Sequence, residues 1–383
     1  MTMLYSIALK GRALQTKSMK RPSFITPDAP LAGMTTLGLG GNAEYLASVS
    51  NLRTLDEALG FADHLGLRMT ILGGGSNVIV PDDGVSGLVI KLTSHELREV
   101  CAGTVAKVEV DGGMVWDAFV DYAVERNWAG VECLTGIPGL VGATPIQNVG
   151  AYGQEVADVV DAVHAYDLKE RRAVTFSQRE CGFGYRDSFF KRSSKGRYLV
   201  TSVSFALEIG GAPAMRYKEL IDVGSGANGL CEVKETVRAL RAKKSMLAGQ
   251  NGPNRHSAGS FFVNPVVSSA EYHDVLGRAL SMGVSASEVP AWPNADGHKL
   301  AAAWLIEQAG FPKGTSRGRV GQSTDHALAL INQGGAATGE LMAFAEEITQ
   351  AVQRVWGITL IREPQLLGAA SVSSGGGGTV RRS

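Results

Sequence analysis

The sequence predicts an α+β fold, and three observations support this prediction. Helical and alternating apolar patterns follow one another along the 383 residues, and no run approaches the ~20 apolar residues of a membrane span. The glycine-rich loop at 73–77 is followed by a strand pattern, whereas a dinucleotide-binding βαβ unit requires a helix there. The pattern changes near residue 245, which predicts a domain boundary at that point.

The first part of the chain alternates between helical and strand periods. Leucine and phenylalanine recur at helical spacing in 51–65, and Trp116 and Phe119 belong to a second helical pattern over 115–126. Short apolar or alternating runs predict strands at 67–72, 78–80, 106–111, 159–176 and 198–207. These elements supply the apolar surfaces for a substantial core.

The second part begins with a helix over 230–244, whose basic end suits the negative C-terminus of a helix dipole. Further helices are predicted at 300–309 and 338–355, and strands at 327–331 and 358–361. Residues 1–30 show no sustained periodicity, and 371–383 are a serine- and glycine-rich tract. Such compositions bury little apolar surface, so both ends are predicted to be mobile tails.

Three glycine-rich loops, at 37–42, 73–77 and 136–153, each lie beside an apolar strand pattern. Glycine lets the main chain approach a ligand closely, and consecutive N–H groups in such turns form anion-binding concavities. One such loop alone would be better explained as a tight structural turn. Three in the first 153 residues favour a large phosphate-bearing ligand.

The three loops, in this order, resemble the flavin-binding motifs of the UDP-N-acetylenolpyruvoylglucosamine reductases, which make a peptidoglycan precursor in bacteria. The resemblance continues through 184–188, 257–265 and 299–306, and covers roughly residues 33–368. It implies a two-subdomain FAD-binding fold of the vanillyl-alcohol-oxidase type plus a smaller C-terminal α+β substrate domain.

The resemblance also implies a division of the chain. We expect, in order, an N-terminal extension at 1–30, FAD-binding subdomain 1 at 31–95, FAD-binding subdomain 2 at 96–245, a substrate-binding domain at 246–356, a last strand within 357–368 that joins subdomain 1, and a disordered tail at 369–383.

FAD is expected to bind non-covalently on the second and third glycine loops. The residues that the resemblance assigns to the cofactor are Gly73, Gly74, Gly75, Ser76, Asn77, Gly136, Gly139, Gly142, Ala143, Gln147, Asn148, Gly150, Ala151 and Gly153. The implied reaction is the reduction of UDP-N-acetylglucosamine enolpyruvate to UDP-N-acetylmuramate. NADPH is the co-substrate, and hydride passes through the flavin N5 to the enolpyruvyl methylene carbon.

Three side chains match the family's catalytic positions. Ser260 would protonate the carbon next to the carboxylate, while Glu363 and Arg186 would stabilise the enolate. Taken without the resemblance, each has a structural alternative. Ser260 could begin a buried strand, Glu363 could be a solvated charge at a strand end, and Arg186 could pair with its neighbour Asp187.

Five polar residues match positions that bind the substrate: Tyr217, Lys244, Asn264, Tyr185 and His326. Without the resemblance, Tyr217, Lys244, Asn264 and His326 could be ordinary polar residues of the protein surface. Lys243 adjoins Lys244, which makes the match of Lys244 less secure. The family's common Glu-Val-Arg ending is replaced here by Glu363-Pro364-Gln365, which removes a nearby cation.

Composition narrows the functional classes. The formal net charge is zero, so no electrostatic footprint for nucleic acid or an anionic membrane is expected. The four cysteines lack metal-ligand spacing, which favours buried free thiols in a cytoplasmic protein without a metal site. Two other functions remain open: another FAD-linked oxidoreductase or oxidase of the same fold, or a non-catalytic flavin-binding regulator.

Overall fold

The computed structural model describes residues 20–223 and 229–368. Its first segment contains β1 (Ile25–Pro30), β2 (Asn42–Val49), α1 (Leu52–Leu65), β3 (Met69–Leu72), β4 (Val78–Ile79) and β5 (Val85–Leu92). Four of the strands form a sheet in the order β1-β2-β5-β3, in which β5 lies parallel to both β2 and β3. The side chain of Asn51 caps the start of α1, and Gly66, with a φ of 65°, ends it.

Residues 1–30 were predicted to form a mobile extension, and this prediction is wrong for residues 25–30, which form strand β1. Ile25 and Ala29 are buried, and β1 pairs antiparallel with β2. Pro27 and Pro30 obscured the strand pattern, but proline is tolerated here because β1 is the edge of the sheet. The other parts of the predicted tails, residues 1–19 and 369–383, lie outside the described residues.

The second segment is built on an antiparallel sheet. Its elements are β6 (Leu97–Ala102), β7 (Val105–Asp111), α2 (Trp116–Glu125), β8 (Trp128–Ala129), β9 (Gly150–Ala151), β10 (Gln154–Glu155), β11 (Val160–Asp167), β12 (Arg172–Ser177), α3 (Phe189–Arg192), β13 (Tyr198–Ile209), α4 (Lys218–Val223) and α5 (Leu230–Lys243). The sheet has the order β12-β11-β13-β7-β6. Helix α2 covers it through Phe119, whose ring stacks on Phe205 with 4.7 Å between centroids. The single strand predicted over 159–176 is a hairpin, because the chain turns back at Arg171 with a φ of 54°.

The third segment contains two small sheets and three helices. Its elements are β14 (Ser257–Ser260), β15 (Val266–Val267), α6 (Ser269–Ser281), β16 (Ala291–Asn294), β17 (Gly297–Leu300), α7 (Ala302–Gln308), β18 (Ser316–Arg317), β19 (Val320–Gln322), β20 (Ala329–Asn332), α8 (Thr338–Trp356) and β21 (Gln365–Leu366). Helix α8 supplies much of the core, and its Trp356 indole donates to the Leu305 carbonyl at 3.0 Å. Helix α6 was not predicted. Ser268 and Glu271 form a capping box at its start, a sequence signal that could have indicated it.

Short 3₁₀ helices complete the described part of the chain, at Ala32–Met34, Glu132–Leu134, Val141–Ala143, Val156–Asp158 and Ala286–Glu288. In residues 20–223 and 229–368, no helix has the length and apolarity that crossing a membrane requires. The mixture of helices and largely separate sheets confirms the α+β class.

The strand predicted at 358–361 is wrong. Ile358 and Leu360 are buried, but they fill the core beneath α8, and Ile361 is 70% exposed. The strand forms later, at Gln365–Leu366, where β21 runs parallel to β4 of the first segment. Ile358 and Leu360 share a core with the buried face of α8, and neither residue belongs to a strand.

Two polar contacts join the third segment to the first. The carboxylate of Asp82 accepts hydrogen bonds from the N–H groups of Thr338 at 2.7 Å and Gly339 at 2.8 Å, at the first turn of α8. The side-chain amide of Asn332 donates to the carbonyls of Leu37 at 3.1 Å and Gly38 at 3.3 Å. The Asn332 contact holds the loop that precedes β2 against the sheet that contains Ser260, and the Asp82 contact holds the start of α8 against the first segment.

Candidate active site

A cleft of about 1310 Å³ is lined by all three segments. Typical small-ligand pockets occupy roughly 300–1,000 Å³, so this volume suits a dinucleotide-sized ligand. Its walls come from the glycine loop after β3, the 136–150 loop, the turn before α3, residues 245–260 and the C-terminal residues 362–368.

The two glycine loops meet backbone to backbone at the floor of the cleft. A Cβ atom on Gly74 would lie 2.6 Å from the Cα of Gly139, and one on Gly75 would lie 1.9 Å from the Met34 carbonyl oxygen. Gly75 also has a φ of 70°, a backbone angle that residues other than glycine rarely adopt. The lining includes these predicted cofactor residues: Gly73, Gly74, Gly75, Ser76, Asn77, Gly139, Gly142, Ala143, Gln147 and Gly150.

The remaining predicted cofactor residues lie outside the lining: Gly136, Asn148, Ala151 and Gly153. Asn148 is buried, and its amide donates to Glu155 at 2.6 Å and to the Gly184 carbonyl at 3.1 Å. It therefore holds the 148–155 hairpin against the turn before α3. Gly153 lies at the hairpin tip, where a Cβ atom would lie 2.9 Å from the Cβ of Arg216.

Ser260 and Glu363 lie on neighbouring stretches of chain, and both line the cleft. Ser260 ends β14, and the N–H of Glu363 donates to the carbonyl of the next residue, Phe261, at 2.9 Å. A bridge between Phe262 and Arg362 continues this pairing. Residues about one hundred positions apart in sequence thus enter the cleft side by side.

Glu363 is half-buried in the wall of the cleft, and desolvation raises the pKa of its carboxyl group above the ordinary value for glutamate. The charges of Arg186 and Lys191 oppose this rise, as does a 3.3 Å hydrogen bond from the Gln147 amide. Glu363 is therefore only partly solvated, and it accepts a side-chain hydrogen bond as well. The group sits where it can hold a proton at higher pH than an exposed glutamate.

Arg186 faces the same cleft from the turn before α3. Its guanidinium donates to the Gly150 carbonyl at 2.6 Å, and its backbone has a φ of 53°. The ion pair of Asp187 is formed with Arg192, so the predicted alternative, pairing between Arg186 and Asp187, does not occur. Lys191, which the sequence analysis missed, donates from Nζ to the Arg186 carbonyl at 2.8 Å and also lines the cleft.

The predicted substrate residues fall into two groups, both outside the cleft lining. Tyr217 and Lys244 surround Tyr152: the two tyrosine rings are 5.5 Å apart, and the Lys244 Nζ is 5.9 Å from the Tyr152 ring. Lys244 also forms an ion pair of 2.5 Å with Glu219. Burial lowers the pKa of His326 to about 4, and the charge of Lys244 contributes to this shift.

The second group contains Tyr185 and Asn264. The Lys299 Nζ lies 4.9 Å from the Tyr185 ring and 5.7 Å from that of Trp292, between two half-exposed aromatic side chains. The Asn264 side-chain oxygen accepts a hydrogen bond of 3.0 Å from the Ala302 N–H, at the start of α7. Sequence reasoning missed Tyr152, although its position inside the third glycine loop was a signal.

The residues present fit FAD. The test is the glycine cradle itself: side chains at Gly74 and Gly75 would fill or distort the floor of the cleft. The loops would hold the pyrophosphate through backbone N–H groups and through Ser76 and Asn77, which line the cleft.

Comparison with known proteins agrees with this assignment. The family profile described as "FAD binding domain" matches residues 43–172, and the profile "UDP-N-acetylenolpyruvoylglucosamine reductase, C-terminal domain" matches 252–367. The chain is 45% identical over 348 residues to UDP-N-acetylenolpyruvoylglucosamine reductase from Thermobifida fusca, covering 89% of this chain and 97% of the relative. It is 41% identical to the enzyme of that name from Streptomyces coelicolor, with 90% of each chain covered.

A solved structure leads to the same family. The crystal structure of UDP-N-acetylenolpyruvylglucosamine reductase from Thermus caldophilus superposes with a TM-score of 0.59 and 25% identity, covering 88% of this chain and 97% of that chain. The predicted FAD-binding fold with an additional C-terminal domain is therefore confirmed. The chain belongs to the UDP-N-acetylenolpyruvoylglucosamine reductase family and is an FAD-dependent oxidoreductase.

Proposed function

We propose that this protein reduces UDP-N-acetylglucosamine enolpyruvate to UDP-N-acetylmuramate, with NADPH as the reductant. The names of its relatives support the substrate class. The observation that carries the proposal is the convergence of Ser260, Glu363 and Arg186 on the cleft that the glycine loops also line. We further propose that the reaction takes place in the cytoplasm, since both substrates are small nucleotides of that compartment.

FAD, when bound, supplies hydride chemistry that no amino-acid side chain can provide. The task of the protein is then to orient the enolpyruvyl group, to stabilise negative charge that develops beside its carboxylate, and to deliver a proton. Each of these tasks has a candidate among the residues that line the cleft.

Arg186 supplies a fixed positive charge for the substrate carboxylate. Its guanidinium is already oriented by the Gly150 carbonyl, and Lys191 holds the backbone turn on which it sits. Fixed charges stabilise a developing anion without reorganisation at the moment of reaction. We therefore assign Arg186 to the enolised carboxylate.

Ser260 is the proposed proton donor. A hydroxyl is a weak acid, but an enolate carbon is a strong enough base to accept its proton. The neighbouring β14–β20 pairing and the Phe261 contact to Glu363 fix the backbone that carries Ser260. This fixed position is what proton delivery to one carbon requires.

Glu363 would act as a protonated carboxyl group. Its raised pKa supports this state, because burial disfavours the charged form. A neutral carboxyl can donate a hydrogen bond to the enolised carboxylate, whereas a carboxylate in the same place would repel it. The group thus complements the charge of Arg186.

The nucleotide end of the substrate would bind beside the cleft. Tyr217 and Lys244 lie around Tyr152, and the charge of Lys244 helps to lower the pKa of His326. Tyr185 lies beside Lys299, and Asn264 accepts a hydrogen bond from the Ala302 N–H. These side chains provide cations, amides and aromatic rings, which are suitable for a diphosphate and a sugar. We propose that they contact this end while the enolpyruvyl group enters the cleft.

An anaerobic visible spectrum of the purified protein tests the proposal. NADPH should bleach the flavin band at ~450 nm, and UDP-N-acetylglucosamine enolpyruvate should then restore it. Bleaching without restoration would exclude this substrate. Rapid restoration by air in place of the substrate would favour an oxidase.

A further inference from the structure

Glu132 is a fully buried carboxyl group that connects three separate stretches of the chain. It lies in the 3₁₀ helix that precedes the third glycine loop, outside the lining of the cleft. Its oxygens accept hydrogen bonds of 2.8 Å from the Gly130 N–H, 3.1 Å from the Gln154 side-chain amide and 2.8 Å from the Ala214 N–H. A buried carboxyl group is costly unless such bonds compensate it, so these partners are firmly held.

Ala214 is held through both of its backbone groups. Its N–H donates to Glu132, and its carbonyl accepts a hydrogen bond of 3.2 Å from the Cys133 thiol. Burial raises the pKa of that thiol to about 12, so it keeps its proton and remains a donor. Residues 212–216 belong to no helix or strand, and within residues 20–223 and 229–368 they form no other hydrogen bond. The polar attachment of this stretch, which leads directly to Tyr217, therefore runs through Glu132 and Cys133.

Gln154 is attached to the same two residues. Its side-chain amide donates to Glu132, and its side-chain oxygen accepts a bond of 2.9 Å from the Cys133 N–H. Gln154 directly follows the tip of the β9–β10 hairpin, where Tyr152 and Gly153 have φ values of 49° and 82°. Two successive left-handed residues form the tight turn typical of two-residue hairpin loops, so Gln154 fixes the place of Tyr152. We call Glu132, Cys133 and Gln154 the Glu132 cluster.

The two stretches that the Glu132 cluster holds carry two facing tyrosines. The rings of Tyr152 and Tyr217 lie 5.5 Å apart, with an angle of 86° between their planes. A Cβ atom on Gly153 would lie 2.9 Å from the Cβ of Arg216, so the hairpin tip and residues 212–217 pack closely. Among the described residues, no hydrogen bond joins 150–155 directly to 212–217. The spacing of the tyrosines is therefore set by packing and by the bonds of each stretch to the Glu132 cluster.

We propose that Glu132 is a positioning residue for the nucleotide end of the substrate, because one carboxyl group holds the stretches that carry Tyr152 and Tyr217. The inference rests on the proposed function, in which Tyr217 contacts that end. Tyr217 is 46% exposed, so its side chain reaches solvent where a ligand can meet it. Groups already held in place lose less conformational freedom when a ligand binds, which raises affinity.

A purely structural role is the alternative, because a buried hydrogen-bond network also stabilises a fold. The two roles differ in what a substitution changes. Loss of a structural residue lowers the stability of the protein, whereas loss of a positioning residue lowers the affinity for the ligand through Tyr217 and Tyr152.

Calorimetric titration of the FAD-loaded protein with UDP tests the assignment. Glu132→Met keeps the length of the side chain but removes both acceptors, and we expect UDP to bind about 5- to 10-fold more weakly. Glu132→Gln should keep most of the affinity, since its side-chain oxygen can still accept from Ala214 and Gln154. In a Tyr217→Ala background, Glu132→Met should have little further effect, because the spacing of the two tyrosines no longer matters.

Asp167→Asn is the matched control for lost stability. Asp167 is also a buried carboxylate outside the cleft lining, and it accepts the N–H groups of Lys169 and Glu170. Its substitution should lower the denaturant midpoint and leave the UDP affinity unchanged. Should Glu132→Met fail to fold, Cys133→Ala removes the bond to the Ala214 carbonyl and should weaken UDP binding in the same direction.

Unchanged UDP affinity in Glu132→Met, or in Cys133→Ala where it replaces that variant, would overturn the proposal. So would an equal loss of affinity with and without Tyr217, which would make Glu132 a residue of the fold alone. Failure of the wild type to bind UDP is a different result: it would contradict the proposed function and, with it, this inference.

Discussion

The side-chain amide of Gln147 donates a hydrogen bond of 3.3 Å to the carboxyl group of Glu363, across 216 positions of sequence. The same Gln147 accepts a bond of 2.7 Å from Asn77, in the glycine loop after β3. One amide therefore connects both cofactor loops to the half-buried acid of the cleft. A shift in either loop would change the surroundings of the acid.

The half-buried state of Glu363 predicts a pH-dependent stability. Because its pKa is raised on folding, the folded protein binds the proton more tightly than the unfolded chain does. Its contribution is most favourable below the unfolded pKa of about 4.3, and it declines as the pH rises through the folded pKa. Glu363→Gln does not titrate, so it should be more stable than the wild type above that range, by about 1.4 kcal/mol per unit of pKa elevation.

Denaturant unfolding at pH 4 and pH 8 measures this difference. Glu271→Gln is the matched control, for which the expected change in stability has the opposite sign. Hydrogen bonds with Ser268 lower the pKa of Glu271, whereas the pKa of Glu363 is raised. That variant should be less stable than the wild type at pH 8. If Glu363→Gln changed the stability equally at both pH values, the pKa of Glu363 would not be raised in the folded protein.

Substitution of Ser260 should separate the two halves of the reaction. Ser260→Ala should leave reduction of the flavin by NADPH nearly intact, and slow reoxidation by the enolpyruvyl substrate by about 10²–10⁴-fold, the range typical of a positioned acid. Stopped-flow absorbance at the flavin band measures both steps. Equal slowing of the two steps would make Ser260 a structural residue of β14.

A methyl group at Gly74 should impair cofactor binding. The new Cβ would lie 2.6 Å from the Cα of Gly139, so the two loops must separate. Overpacking of this kind costs about 1–3 kcal/mol, and we expect FAD to bind Gly74→Ala at least ~10-fold more weakly. Fluorescence titration of apoprotein with FAD measures the affinity. Gly277→Ala, on α6 with no atom within 4 Å of the new Cβ, should bind FAD normally.

Removal of the Asp82 carboxylate should loosen the third segment. Asp82 accepts two N–H groups from the first turn of α8 and interacts favourably with the helix dipole. Loss of such a cap costs about 0.5–2 kcal/mol, so Asp82→Ala should unfold at lower denaturant concentration. Asp83→Ala, at the neighbouring exposed position, should not. Hydrogen exchange of the α8 amides would show whether the weakening is confined to this contact.

Much of the site could be predicted from the sequence because a sharp turn or a close backbone contact requires glycine at that position itself. The loops at 73–77 and 136–153 must turn sharply and approach a ligand closely, and that need is visible in the residue types themselves. Ser260, Arg186 and Glu363 were identified through motifs, and the structure places all three on the cleft. Helices such as α1 and α8 were predicted because their apolar periodicity is long and regular.

The sequence by itself determined the α+β class, the glycine loops and the candidate catalytic residues. The tertiary structure decided that β1 pairs at a sheet edge despite its prolines, that the last strand forms at 365–366, and that Asp187 pairs with Arg192 rather than Arg186. It also decided that Arg241 is buried, with an Nε atom that has no hydrogen-bond partner among residues 20–223 and 229–368. Strand pairing, ion pairing and burial arise from contacts between residues brought together by the fold, so their outcome depends on geometry that local residue patterns do not encode.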